Sequence, residues 1–353
     1  MPGNRARGLI AALLTLFLLG GCAPRLVGVD PARPPSPGDW GPHPAPVEWW
    51  YLSAYLPEAG LAFHWAFFKA YPPEDWRVLG VSARALYPYP IHAVHLAITD
   101  LRTGRRRVVE AGDYPEGGAR VAGAPLRLVL DGHRLFQQGA GFRLVAPGLD
   151  LTLVPLKPAV VHPPGYSGTA GVGRMYYVSF TRLALLGEVA GRRVRGFAWM
   201  DHQWGDQLAG VRAGWDWFGL RLSDWSEVML YRVRTPSGRV VALHASLVEP
   251  SGRVRRLEDV GMTPLRYWTS PTSGYRYAVA WRVRARGLSL VLRPRAQAQE
   301  LRTATTHVAY WEGPVAGPGE RDGHAVWAEG MGEFIGGRWP PRGPRGRGAP
   351  APP

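Results

Sequence analysis

Three side chains that could carry acid–base chemistry and one aromatic side chain lie within six residues near the middle of the chain: Asp201, His202 and Asp206, together with Trp204. A carboxylic acid with a raised pKa can protonate an alkene. An aromatic face stabilises the resulting cation by roughly 0.5–2 kcal/mol. The same set suits hydrolysis of an ester or lactone, with His202 as the base. The sequence contains no Gly-x-Ser-x-Gly elbow, which argues against a serine hydrolase.

The spacing of these four residues limits how they can act together. If residues 197–204 form a regular strand, alternate side chains point to opposite faces. His202 and Trp204 then share one face, and Asp201 lies on the other. All of them can line one cavity only if the strand bulges or ends near Gly205. Two alternatives stay open, a structural corner between domains and a ligand contact without catalysis.

The first 22 residues have the pattern of an export signal. An apolar stretch runs from Leu9 to Leu19, too short to span a bilayer but typical of a signal-peptide core. Leu19-Gly20-Gly21-Cys22 follows and resembles a bacterial lipobox. We therefore predict a signal peptide over residues 1–21, a lipid on Cys22, and an exported protein anchored to an envelope membrane. The alternative is a secretory signal with an incidental cysteine.

Both ends of the mature chain are rich in helix breakers. Residues 22–46 are Pro-rich and predict a semi-rigid tether. Residues 337–353 contain mostly Arg, Gly and Pro and predict a disordered tail.

Composition excludes several classes of protein and site. The single cysteine rules out a structural disulfide and a zinc cluster of several thiolates. The 45 Gly and 34 Pro residues argue against a helical bundle. The net charge of +15 is spread without a dense basic run in the central region, so we expect no nucleic-acid partner. His92 and His95 lie three apart in a strand-like run and would face opposite ways, so we expect no metal and no cofactor.

Short strand-like runs separated by Gly-containing turns predict an all-β fold, either a sandwich or a barrel. A hairpin pattern occurs twice. Glu48–Leu52 is followed by Phe63–Lys69, and Trp215–Leu220 by Glu227–Arg234. Each half then has about the length needed for an eight-stranded barrel.

A set of aromatic motifs makes the fold prediction more specific. As a set, the motifs resemble the AttH/CrtC group of lipocalin-like proteins, which includes the acyclic carotenoid 1,2-hydratases and many predicted secreted hydrolases. They are Trp49-Trp50-Tyr51, the run Gly196–Asp206, Gly214–Phe218, Trp268–Pro271 and Tyr310–Gly313. The resemblance implies two tandem lipocalin-like antiparallel β-barrels, over residues 47–195 and 196–336. It does not imply that the substrate is a carotenoid.

Aromatic and polar residues at the start of each barrel are candidate ligand contacts, because small-molecule sites are mostly apolar with a few polar groups. The candidates are Trp50, Tyr51 and His64 in the first barrel, and Asp216, Trp217, Tyr231, Trp311 and Glu312 in the second. Glu312 is also a second candidate acid, for which an exposed position on the protein surface is the alternative. Core packing is the alternative for each aromatic residue.

Three functions are compatible with these patterns. The first is a lipid-anchored protein that binds a hydrophobic, isoprenoid or lipid-like molecule. The second is a hydratase or hydrolase acting on such a molecule. The third is a structural or assembly lipoprotein that binds a protein partner.

Overall fold

The computed structural model describes residues 24–338 except 115–116, 207–213 and 236, and side chains up to residue 335. The predicted signal peptide, Cys22 and nearly all of the predicted C-terminal tail lie outside the described residues.

The described chain is almost entirely antiparallel β-structure. The strands of the N-terminal half are β1 (Val47–Leu56), β2 (Leu61–Ala70), β3 (Arg77–Val78), β4 (Val81–Ser82), β5 (Ile91–Asp100), β6 (Arg106–Gly112), β7 (Arg120–Ala122), β8 (Arg127–Leu130), β9 (His133–Gln138), β10 (Gly141–Ala146), β11 (Leu149–Pro155), β12 (Val160–Thr169), β13 (Gly173–Val189) and β14 (Arg192–Gly205). A single described helical turn, α1 (Ala83–Leu86), follows β4. Within the described ranges, no helix has the length and apolar character needed to cross a membrane.

The strands of the C-terminal half are β15 (Gly214–Leu222), β16 (Glu227–Arg234), β17 (Val240–Val248), β18 (Val254–Arg256), β19 (Gly261–Thr269), β20 (Arg276–Ala285), β21 (Leu288–Pro294), β22 (Glu300–Arg302), β23 (Val308–Arg321) and β24 (His324–Arg338).

The strands form two large antiparallel sheets, one from each half, and β3 and β4 make a separate two-stranded ribbon. The predicted all-β, antiparallel, lipocalin-like fold is confirmed, and each large sheet curls into a half-barrel. The order of the first sheet runs from β6 to β7, and no pairing between described residues joins these two edge strands. Each sheet is therefore a curled layer that wraps over its own core.

The repeated hairpin corresponds to a repeated topology. In the first sheet, β1 lies between β2 and the last strand, β14. In the second, β15 lies between β16 and the last strand, β24. Tyr51 on β1 is opposite Asp201, and Trp217 on β15 is opposite Glu333. The two hairpins recognised in the sequence therefore occupy equivalent positions.

The central strands are buried on both faces, because one face covers the core of its own sheet and the other packs against the second sheet. Trp50, Trp65 and Phe142 lie in the first core, and Phe218 and Trp281 in the second. A third cluster forms between the sheets. It includes Tyr51, Tyr177, Trp199, Trp217, Tyr231 and Met331. We call the two surfaces that meet there the interface faces.

The boundary between the halves differs from the prediction at residues 195/196. Residues 196–205 continue β14, which pairs with β1 and β13 of the first sheet. The second sheet begins at Gly214. The most distinctive sequence motif therefore lies on β14, the last strand of the first repeat.

The segment predicted as a tether lies against the first sheet over much of its length. Trp40 is 4% exposed and stacks on Phe180, with ring centroids 4.7 Å apart. The Val29 amide donates to Asp206 Oδ1 at 2.9 Å. These contacts give residues 29–40 a fixed place on the sheet, which differs from the extended tether that the Pro-rich composition predicts.

A buried ion cluster joins the two sheets. Glu227 on β16 accepts from Lys157 Nζ at 2.8 Å and from Arg182 Nε at 2.6 Å. Lys157 and Arg182 belong to the first half, and all three side chains are at most 7% exposed. One carboxylate from the second sheet therefore pairs with two cations from the first.

Candidate functional site

Side chains along β14 point alternately to opposite faces of the sheet, as predicted, and this separates the candidate catalytic residues. Met200, His202 and Trp204 point into or border the first core. Trp199 and Asp201 point to the interface face. The strand does not bulge to bring Asp201 and His202 onto one side.

Asp201 is held by neutral donors on the interface face. It is 3% exposed and accepts from Trp199 Nε1 at 2.5 Å, from Tyr177 Oη at 3.1 Å and from Ser179 Oγ. Burial raises the pKa of Asp201 to about 7, because the three donors offset desolvation only in part and the nearby Glu333 raises it further. A carboxyl group with a pKa near neutrality can both give and take a proton at physiological pH.

Two more carboxyl groups lie on the facing sheet. Glu312 on β23 is directly opposite Glu333 on β24, and like-charged groups in that position destabilise each other. Burial raises the pKa of Glu333 to about 7. Burial, together with Glu333, raises the pKa of Glu312 well above its usual value. We call Asp201, Glu312 and Glu333 the carboxyl cluster.

Glu312, on the second sheet, is joined to the first sheet by direct contacts. Tyr51 Oη donates to Glu312 Oε1 at 2.6 Å, and His64 Nδ1 lies 3.2 Å from Glu312 Oε2. Burial lowers the pKa of His64 and raises that of Glu312, so desolvation disfavours the charged form of both groups. Because Nδ1 faces Glu312, Nε2 is the ring nitrogen without a partner among the described residues.

A hydrogen-bonded chain leads away from Asp201 across the interface. Ser179 Oγ is 2.8 Å from His162 Nε2, and His162 Nδ1 is 2.7 Å from Ser246 Oγ on the second sheet. Burial lowers the pKa of His162 to about 3, so it is neutral and has one donor and one acceptor nitrogen. With Asp201 ionised, the consistent direction is Ser246 to His162 to Ser179 to Asp201.

His202 belongs to a separate cluster inside the first half. Its Nδ1 is 2.6 Å from the Asp39 carbonyl, and its Nε2 is 2.9 Å from Glu48 Oε1. Glu48 also accepts from the His43 amide and from Lys69 Nζ at 2.6 Å. The donor atoms of His43, Glu48 and His202 are close enough to hold a metal ion. However, the Lys69 ammonium already occupies one oxygen of Glu48, so the group is charge-balanced by the protein itself.

This cluster gives a prediction about acid stability. Burial alone would raise the pKa of Glu48, but hydrogen bonds from His202 and His43 and the charge of Lys69 lower it to about 2. A lowered carboxyl pKa stabilises the fold above its ordinary value near 4.5, and that contribution is lost as the pH falls toward 2. We expect a loss of about 3 kcal/mol over this range, measured by urea unfolding of the wild type. Glu48→Gln should remove most of that pH dependence; an unchanged acid limb would contradict the assignment.

The remaining predicted site residues are distributed over three places. Trp50 lies in the first core, stacked on His202, and Trp204 stacks on His43. Asp206 accepts from the backbone amides of Val29 and Arg174. In the second half, Trp311 lies in the core. Asp216 there pairs with Arg232 and Arg234.

The structure therefore brings together about half of the predicted site residues at the interface faces, namely Asp201, Tyr51, His64, Trp217, Tyr231 and Glu312. Sequence reasoning missed other polar residues there: Arg106, His162, Tyr177, Ser179, Tyr310 and Glu333. The alternation along β14 and β24 could have suggested Glu333. Tyr310 begins the Tyr310–Gly313 motif and could have been found there. The others carry no motif, because their position depends on how the two sheets meet.

Comparison with known proteins agrees with this architecture. A family model described as AttH-like matches residues 29–336. The chain belongs to the AttH-like family. The crystal structure of a putative AttH from Nitrosomonas europaea is 26% identical, with a TM-score of 0.74 over 88% of this chain and 99% of that one.

Two further structures share the AttH-like fold at lower identity. Kievitone hydratase from Nectria haematococca has a TM-score of 0.64 at 14% identity, covering 90% of this chain and 97% of that one. CghA has a TM-score of 0.52 at 16% identity, covering 90% and 96%. None of the curated proteins compared with the chain matches it.

Proposed function

We propose that this AttH-like protein is a hydro-lyase that adds water to a carbon–carbon double bond of a hydrophobic, isoprenoid or lipid-like molecule. The reaction would take place between the interface faces. The observation that carries the proposal is the carboxyl cluster, in which two groups have a pKa near 7 among aromatic side chains. The hydratase named among the structural neighbours shares the fold and is consistent with this chemistry.

The proposed reaction uses the cluster as both acid and base. Asp201 transfers its proton to one alkene carbon, which leaves a carbocation on the other. Trp199 and Trp217, which pack edge to face with ring centroids 6.1 Å apart, would provide the aromatic surroundings that stabilise that cation. Water then adds to the cation, and an ionised Glu333 takes the released proton. Elimination of water is the same sequence in reverse.

Two alternatives have less support from the geometry. A carrier holding its ligand inside a half-barrel would place that ligand among the apolar side chains of the two cores, such as Trp65, Phe142 and Trp281, and away from the carboxyl cluster. Hydrolysis with His202 as the base would need a free ring nitrogen. Both nitrogens of His202 are engaged, with Asp39 and Glu48, on the face opposite Asp201.

Two measurements test the proposal. Organic extraction of the purified protein, followed by mass spectrometry, identifies any hydrophobic molecule that co-purifies. That molecule, together with lycopene and kievitone as probes, is then incubated in H₂¹⁸O. We expect a product heavier than its substrate by one ¹⁸O-labelled water. If a co-purified molecule binds but is never hydrated, the protein is a carrier and not a hydratase. If the protein forms a stable complex with another protein and binds no small molecule, an assembly role is favoured.

The proposal predicts a defined pH dependence. The acid must be protonated to react, and burial raises the pKa of Asp201 to about 7. Glu333 must be ionised to take a proton, and burial raises its pKa to about 7 as well. The kcat/KM for hydration should therefore be bell-shaped, with a maximum near pH 7 and a fall toward about tenfold per unit on each side. A rate measured from pH 5 to 9 tests this, and a profile that is still rising above pH 8 would contradict an acid role for Asp201. Because Asp201 and Glu333 interact, the two limbs report the pair rather than either group alone.

We further propose that the protein is exported and held at an envelope membrane through a diacylglycerol on Cys22. The lipobox-like Leu19-Gly20-Gly21-Cys22 and the preceding apolar stretch support this. Mass spectrometry of the mature N-terminus tests it, since a free, unmodified Cys22 would overturn the proposal. The test is independent of the reaction.

A further inference from the structure

Arg106 is a half-buried cation at the interface faces, and two of its guanidinium nitrogens have no hydrogen-bond acceptor among the described residues. It lies on β6 opposite Thr99, whose hydroxyl donates to Gln299 of the second half at 2.8 Å. Arg106 Nη1 donates to the carbonyl of Glu300. Its Nε and Nη2 are closed to solvent and have no partner among the described residues. Burial lowers the pKa of Arg106 to about 10, so it stays charged at neutral pH.

His64 presents a second unused donor on the same face. It is opposite Ala97 on β5, and Arg106 is opposite Thr99 two residues further along that strand. Side chains two apart on a strand share a face. His64 is 2% exposed, and within the described residues its Nε2 has no hydrogen-bond partner. Because Nδ1 faces Glu312, Nε2 is the nitrogen left to donate to a ligand.

The carboxylates near Arg106 are engaged elsewhere. Glu300 directs its oxygens to Ser270 Oγ at 2.6 Å and Tyr277 Oη at 2.8 Å, among others. Glu110 accepts from the Ala304 amide and from Thr305 Oγ1, both at 3.0 Å. Glu312 is held by Tyr51 and His64. Arg106 therefore has charged neighbours but no carboxylate hydrogen-bonded to it in the described part of the chain.

We propose that Arg106 and His64 form a subsite for an anionic oxygen, of the carboxylate class, at one end of the hydrophobic ligand. Guanidinium N–H groups that are closed to solvent and lack acceptors are costly, and a carboxylate bound to Nε and Nη2 in bidentate fashion supplies both missing acceptors. This proposal rests on the proposed function for the location of the ligand, and it adds that the ligand is an apolar molecule with a negatively charged end. The carboxyl cluster would then act on a carbon further along the chain.

Isothermal titration calorimetry at pH 8 tests the subsite with three probes: sodium dodecanoate, 1-dodecanol and sodium acetate, each below its aggregation limit. We expect the wild type to bind dodecanoate at least tenfold more tightly than dodecanol, and acetate much more weakly than dodecanoate. Equal binding of dodecanoate and dodecanol would overturn the subsite. Acetate that bound as tightly as dodecanoate would overturn the assignment to a lipid-like ligand and leave only a small-anion site.

Matched variants show which residues cause the preference for dodecanoate over dodecanol. Arg106→Gln should remove the preference for dodecanoate, and Arg107→Gln should keep it, because Arg107 is the exposed neighbour on the other face of β6. His64→Phe should weaken the binding of dodecanoate about tenfold and leave the binding of dodecanol unchanged. This variant tests the subsite if circular dichroism shows that Arg106→Gln does not fold. A preference retained in Arg106→Gln would overturn the proposal. A protein that binds dodecanoate in this way but hydrates no alkene would contradict only the proposed function.

Discussion

Replacement of Asp201 by asparagine is expected to lower the hydration rate by about 10²–10⁴-fold while the protein keeps its fold, the range typical of losing a general acid. The side chains have the same shape. The amide oxygen can still accept from Trp199 and Ser179, and the amide nitrogen can donate to Tyr177. Only the transferable proton is lost, so kcat should fall while ligand affinity stays close to that of the wild type. Single-turnover rates and calorimetric affinities measure the two effects separately.

Asp206→Asn is the matched control for this experiment. Asp206 lies five residues further along the chain and binds the backbone amides of Val29 and Arg174, away from the carboxyl cluster. We expect its hydration rate to stay within about twofold of the wild type. Unchanged turnover in Asp201→Asn would remove Asp201 from the mechanism, whatever the control showed.

Replacement of Glu227 by glutamine is expected to lower the free energy of unfolding by about 3–5 kcal/mol. The change leaves Lys157 and Arg182 buried without their carboxylate. Among the described residues, their other hydrogen bonds go to backbone carbonyl groups such as those of Trp225 and Leu222, and Arg182 also lies 4.5 Å from the centroid of the Trp225 ring. Because Glu227 joins the two sheets, the loss should also weaken their docking. Guanidinium unfolding at pH 7 measures the free energy, and a second transition would show that the two sheets separate.

Glu258→Gln provides the comparison for an exposed pair. Glu258 and its partner Arg286 have side chains that are 61% and 70% exposed. Surface ion pairs of this kind contribute about 0–1 kcal/mol. Equal losses in the two variants would show that burial does not set the strength of the Glu227 cluster.

The repeat and the strand pattern were readable from the sequence because both depend on local periodicity. The two hairpins, the all-β fold and the opposite facing of Asp201 and His202 all follow from the alternation of side chains along a strand. The boundary at residues 195/196 was misplaced for the same reason. Periodicity identifies a strand but does not say which sheet it joins, and β14 joins the first sheet through pairing with β1.

The composition of the site could be predicted only in part. Asp201 and Glu312 were recognisable because they lie beside Trp-rich motifs. Arg106, His162 and Glu333 have no such neighbours, and their roles depend on residues far along the chain. His162, for example, connects Ser179 of the first sheet with Ser246 of the second.

The sequence by itself determined that Asp201 and His202 point in opposite directions, because neighbouring side chains of any strand do so. Only the tertiary structure decided which direction leads to a core and which to a second sheet. Tyr51 and Glu312 are separated by 261 positions and meet at 2.6 Å. That contact exists because two curled sheets, each with apolar residues on both faces, bury their outer surfaces against each other, and water is thereby excluded from carboxyl groups that would otherwise be ionised.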